Sequence, residues 1–354
     1  MFRTILLKCI QSLNGERSVS GIFHLLQGKR SSQTLQDAKI YEIDSFFGIY
    51  PELEKERLND AVRQLAKENA IKIKEDELPV ISAKGCEMLR ASSLESDGHF
   101  FNGLLYHKHV ATFEKRLRLL IQTLTHSYMN DLAFIPVEDD VEIQSWVKKI
   151  YKSHPNEGLM LSLHQDLLVL LHNVSEVEAE LFTGRLTGGS FTGRTREQLA
   201  LSQQISIENV DLYLRHTFYY LFHTVTTAGE IYKGLSLCMD GLEVSSLITE
   251  SAKQTYQLFI QGYSLQQICQ RRRLKLSTIQ DHMVEAALVL PSFDIIPFVS
   301  LEHQTEIIHT LNAMNSNKLK SLYEALHGQF NYFELRLVLA RANSKKQGRK
   351  VHGY

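Results

Sequence analysis

Arg271, Arg272, Arg273 and Lys275 crowd four cations directly ahead of Ser277, Thr278, Gln280 and His282. Guanidinium and ammonium groups hold phosphate oxygens, while hydroxyl, amide and imidazole groups reach base edges. Cations in a turn, followed by polar residues at the start of a helix, are the makings of a DNA contact. An arginine run is also a common solvated helix end, so the elements that carry these residues decide what they can do.

Those elements read as three helices with two tight turns. Residues 251–261 place Tyr256, Phe259 and Ile260 on one helical face, and Gly262 stands where a helix end calls for a left-handed residue. Ser264 and Gln267 have capping-box spacing and open a second helix with Leu265, Ile268 and Cys269 inward. Its cationic end suits the negative pole of the helix dipole. Ser277 and Gln280 repeat the capping-box spacing and open a third helix that Pro291 stops. Ile279, Met283, Ala286 and Ala287 form its inner stripe, which leaves Thr278, Gln280, Asp281 and His282 outward. Two capped helices joined by a short turn make a helix-turn-helix, whose later helix presents its amino end to bases.

The stretch G-Y-S-L-Q-Q-I-C-Q-R-R-R-L-K-L-S-T-I-Q-D-H resembles the helicase helix-turn-helix domain found at the C-termini of many RecQ-type helicases. It is also similar to a stand-alone bacterial family, the YpbB-like proteins, whose genes neighbour one for a RecQ-type helicase. The signature G-x-S-x-x-I-x-x-x-R, then S-T-I-x-x-H, is filled by Gly262, Ser264, Ile268, Arg272, Ser277, Thr278, Ile279 and His282. Cys269 stands where Ala is usual. The N-terminal pattern L-L-K-C, then L-N-G-E-R-S-V-S, also resembles that family. So does the segment after Pro291, where L-K-S-L-Y-E-A-L precedes Y-F-E-L-R-L-V-L.

A chain of 354 residues is long enough for two or three domains, and 44% apolar residues give ample core material. A net charge of -1 excludes a globally basic nucleic-acid coater, so any DNA contact must be a local patch. Cys9, Cys86, Cys238 and Cys269 are isolated, as in a protein of a reducing compartment. The first residues are too short an apolar run to span a membrane and lack a cleavage site, so a cytoplasmic protein is expected.

The fold expected is mainly α. Residues 1–98 read as a winged-helix-like module, with helices over 32–47 and 53–69. Strands around Ile71 and Val80 flank a polar turn at 74–77, before a short closing helix. The outer face of 53–69 is nearly neutral, which favours protein contact there over DNA. Residues 95–101 read as a linker, and 99–248 as a helical middle domain. Within it, the helix over 164–174 looks apolar all round, and the aromatic run Tyr213, Phe218, Tyr219, Tyr220 and Phe222 reads as core. The helix-turn-helix domain covers 249–343, and 344–354 read as a basic disordered tail.

Other candidate chemistry does not assemble. The glycines from Gly188 to Gly193, before Arg194 and Thr195, approach a P-loop, but a helical pattern precedes them instead of a strand. Thr195 and Gln198 read as a capping box, and the turn at Ile205 as a second helix-turn-helix shape used for packing, because Glu208 and Asp211 would repel phosphate. His107 and His109 read as a loop or strand pair, and no histidine spacing chelates a metal. Asp139 and Asp140 read as an acidic helix start. The expectation is a protein that is not an enzyme, with no cofactor or metal.

By resemblance, the chain supplies to a RecQ-type helicase a domain that other helicases carry fused. Arg271, Arg272, Arg273 and Lys275 would hold phosphates, with Thr278, Gln280 and His282 at bases or a fork junction. The residues alone leave open a sequence-specific transcription regulator and a protein-interaction scaffold without DNA contact.

Overall fold

The computed structural model describes all residues except 75–77, 93–99, 132, 243–246, 315 and 352–354, and it describes 343–351 by backbone alone. The tip of the N-terminal hairpin and most of the expected linker therefore lie outside the described residues. The chain is mainly helical and forms two compact units. One holds Met1–Ile5 with Leu89–Val244, and the other holds Leu6–Met88 with Ser245–Tyr354. The first and last modules of the sequence thus share a unit. No described helix is long and apolar enough to cross a membrane.

In the chain's first third, α1 (Phe2–Leu13), α2 (Val19–Gln27), α3 (Ser32–Ile40) and α4 (Lys55–Lys67) precede an antiparallel pair, β1 (Ile71–Ile73) and β2 (Pro79–Ile81), then α5 (Ala83–Arg90). Ile71 faces Ile81 across the pair. The helix expected over 32–47 stops at Ile40. Glu42 takes a left-handed φ of 53°, and a 3-10 turn over Asp44–Phe46 buries Phe46. The exposed face of α4 is self-neutralised, with Arg57 on Glu54 at 3.2 Å and Arg63 paired with Asp60.

The unit of 89–244 contains α6 (Gly103–Tyr128), α7 (Val141–Ser153), α8 (Asn156–Leu171), α9 (Glu176–Arg185), α10 (Arg196–Gln203), α11 (Ile207–Ala228) and α12 (Lys233–Leu237). In the aromatic run of α11, Phe218, Tyr219, Tyr220 and Phe222 are core, and Tyr213 is half-buried. Phe222 packs on Tyr106 at 5.1 Å and edge-on to Phe113 at 5.7 Å. Asp140 caps α7 through the Glu142 and Ile143 amides. Thr195 and Gln198 form the expected capping box of α10. His107 and His109 lie within α6, where His107 Nδ1 bonds the Gly103 carbonyl at 2.8 Å. His216 accepts the Phe100 N–H at Nε2, so its Nδ1–H donates to Glu178 at 2.6 Å. The helix α8 is not buried all round: Leu159, Leu163, Asp166 and Leu170 face inward, while Leu161, Leu168 and Val169 are exposed. A continuous apolar run cannot report which side packs.

The last third gives α13 (Glu250–Ile260), α14 (Leu265–Arg272), α15 (Leu276–Val289), α16 (Leu301–Ala313), α17 (Leu319–Ala325) and α18 (Tyr332–Val351). The backbone of α18 is helical to Val351. Within this unit α15 is the hub, packed against α13, α14, α3 and α18.

Candidate nucleic-acid interface

The helix-turn-helix is α14, a tight turn and α15. Ser264 caps α14 through the Gln267 amide, and Gln267 returns the bond, as the spacing predicts. Gly262, just past α13, has the expected positive φ of 91°. Arg273 ends α14 in the left-handed conformation (φ 53°, ψ 41°), an uncommon place for a side chain this large. That residue turns the chain, and α15 follows at Leu276.

Here the structure corrects the sequence. Ser277 does not cap the last helix. Lys275 occupies the N-cap position, its carbonyl accepts the Thr278 and Ile279 amides, and no side chain caps the helix. The early start is set by the turn at Arg273, which leaves Ser277 already helical. An uncapped helix start presents unpaired N–H groups and a positive dipole end, both suited to phosphate. Arg271, Arg273, Lys275 and Ser277 are exposed around it. The Arg271 guanidinium lies 5.1 Å over the Tyr263 ring and donates to the Tyr263 hydroxyl at 3.0 Å. This contact holds one cation in place on the exposed side.

Arg272 is employed differently. It donates to the Ser251 carbonyl at 2.6 Å, to Ser251 Oγ at 3.1 Å, to Gln254 at 3.2 Å and to Thr255 Oγ1, all on α13. His282 Nδ1 lies 2.8 Å from the Thr255 hydroxyl and 3.4 Å from an Arg272 N–H, which can only donate to it. This makes Nδ1 an acceptor and the imidazole neutral. Burial first, then the Arg272 charge, holds the His282 pKa below the ordinary histidine value. His282 is therefore turned toward α13, not outward with Thr278 and Gln280, which are half-buried. The sequence carried a signal for both inward residues. Arg272 lies four positions after buried Ile268, and His282 three after buried Ile279, each on the same helical face as its partner. Ile260, expected on the inner face of α13, is exposed, and Ala252 and Thr255 fill that place.

Of the eight residues singled out by sequence, the structure gathers Arg271, Arg273, Lys275 and Ser277 on the exposed turn, with Thr278 and Gln280 beside them. Arg272 and His282, also half-buried, turn toward α13. Tyr263 and Arg336 were missed. Arg336 of α18 pairs with Asp281 at 2.7 Å, and nothing local in the sequence announces that partner.

The turn at Ile205 is a close geometric copy. The helix α10 ends in left-handed Gln204 (φ 53°, ψ 39°), and α11 begins after Ser206. Every cation is missing from that turn, where Ser202, Gln203, Gln204 and Ser206 replace them. Ser206 caps α11, Arg196 pairs with Asp211 at 2.9 Å, and Asn209 accepts the Phe2 amide at 2.9 Å. The same backbone is here used for packing.

A family model described as a helix-turn-helix domain matches residues 251–339. Protein YpbB of Bacillus subtilis (strain 168) is 31% identical over 343 residues, 96% of this chain and 97% of that protein. No solved structure matches the chain.

Proposed function

Because the chain belongs to the YpbB family and matches a helix-turn-helix domain over residues 251–339, we propose that it is a DNA-binding accessory protein without catalytic activity of its own. Its setting would be DNA repair or recombination, alongside a RecQ-type helicase. The observation that carries the DNA reading is the uncapped start of α15 ringed by exposed Arg271, Arg273 and Lys275. Phosphate is attracted there both by fixed charge and by free amides. The helicase partner comes from the resemblance of this domain to one that many RecQ-type helicases carry fused. A separate polypeptide can supply the same contact in trans.

Fluorescence anisotropy on duplex, single-stranded and forked DNA across a salt series tests the first part. The expected result is salt-sensitive binding that the triple change Arg271→Ala, Arg273→Ala, Lys275→Ala weakens and makes less salt-dependent. Equal binding by the parent and the triple variant would remove this turn from the interface. Co-purification with the RecQ-type helicase of the same cell tests the second part. Absence of a complex in low salt would sink the helicase partnership while leaving DNA binding standing.

A further inference from the structure

Beyond its first turn, α15 has no face left for a groove. Met283, Val284, Ala286 and Ala287 are fully buried, and Glu285 and Leu288 are 7% exposed. Successive residues step about 100° around a helix, so burial of all of 283–288 closes it on every side. Helix-turn-helix readers contact bases through the amino end of this helix, so any readout here is confined to its first turn, where Thr278 and Gln280 are half-buried.

The helix beyond that turn is fastened shut by polar contacts as well as packing. Asp281, the next outward position after Gln280, is bound by Arg336. Arg336 Nε also donates to Gln36 on α3 at 3.0 Å, its guanidinium bonds Ser32, and its carbonyl accepts from Gln36 at 3.3 Å. One turn on, Glu285 accepts from the Thr249 amide at 2.7 Å and pairs with Arg30 at 3.4 Å. Arg30 in turn donates to the Leu247 carbonyl at 2.6 Å. Both carboxylates thus hold α3 or its approach, and α18, in place over α15.

We propose that this cover makes the helix-turn-helix a reader of the DNA backbone and not of base sequence. Contact is confined to the cations before α15 and to its first turn, and α3 stays seated when duplex binds. The inference rests on the DNA-binding reading above and gives it a substrate class: duplex phosphate backbone of any sequence. Three phosphate contacts give a slope of about −2.7 for log affinity against log salt. That is about a 40-fold loss from about 50 to 200 mM salt.

The test combines selection from a randomised duplex library, using the full chain, with hydrogen–deuterium exchange of the chain free and saturated with duplex. We expect enrichment below about fivefold at every base position, the lower edge of what a read base pair gives. We also expect new protection over 271–278, with Ser32–Ile40 and 283–288 unchanged. A motif enriched above that level overturns the proposal and leaves DNA binding intact. So does loss of protection across Ser32–Ile40 on adding duplex, which would show the cover lifting. Failure to bind any duplex overturns this inference, and it removes the DNA reading as well only when single-stranded and forked DNA also fail to bind.

Discussion

Three neighbouring arginines divide into two jobs, and the division is a matter of helix phase. Arg272 faces α13 and satisfies acceptors on Ser251, Gln254 and Thr255, whereas Arg271 and Arg273 face solvent. Arg272→Ala should cost about 2 kcal/mol of stability, the range for hydrogen bonds to a charged group. Arg271→Ala should cost under about 1 kcal/mol, the worth of its exposed contact with Tyr263, and should reduce the salt slope of DNA binding by about 0.9. Urea unfolding beside anisotropy on the two variants separates the roles. His282 adds a pH dependence. Its folded pKa lies below the unfolded value, so the unfolded chain binds the extra proton in that window. Stability should be highest above about pH 6.5, the ordinary histidine value, and should fall as pH drops toward the folded pKa. His282→Gln should flatten that fall in urea titrations between about pH 7 and 5. A list of residue types could not separate Arg271 from Arg272, but the spacing from Ile268 could have done so, because four residues is about one helical turn.

At the scale of elements, the amino end of α15 trades stability for an open anion-binding end. The other helices of the motif are capped, α13 by Thr249 and α14 by Ser264. Lys275→Ser should supply the missing cap and add about 0.5–1 kcal/mol to stability. The same change should weaken DNA binding, since it removes a cation and pairs an amide that phosphate would use. Denaturant midpoints and DNA affinity moving in opposite directions would confirm the trade, and affinity unchanged by the substitution would break it. Capping boxes at Ser264 and Thr195 were legible because residues three apart carry the whole device. The box at Ser277 was illegible as a false one, because the start of α15 is fixed upstream by the left-handed Arg273. The exposed apolar side of α8 was equally hidden, since its sequence alone does not say how many faces have neighbours.

At the scale of the molecule, the covered helix ties the two ends of the chain into one unit. Arg336 links α18 to Asp281 on α15 and to Gln36 on α3. Arg336→Ala should therefore destabilise by about 2 kcal/mol. A fragment of residues 245–354 should fail to show a cooperative urea transition, because α15 would lose α3 as a packing partner. Cooperative unfolding of that fragment at parent stability would show that α3 is dispensable. The sequence by itself determined the helical class, the helix-turn-helix, the position of its cations and the aromatic core of α11. Each of these rests on local spacing, on turn chemistry or on side-chain type within one element. Only the tertiary structure decided that α3 and α18 close over α15, and that Arg336 reaches Asp281, Gln36 and Ser32. Those outcomes depend on partners up to 304 positions away in the chain, and no local pattern encodes the identity of a partner brought near only by folding.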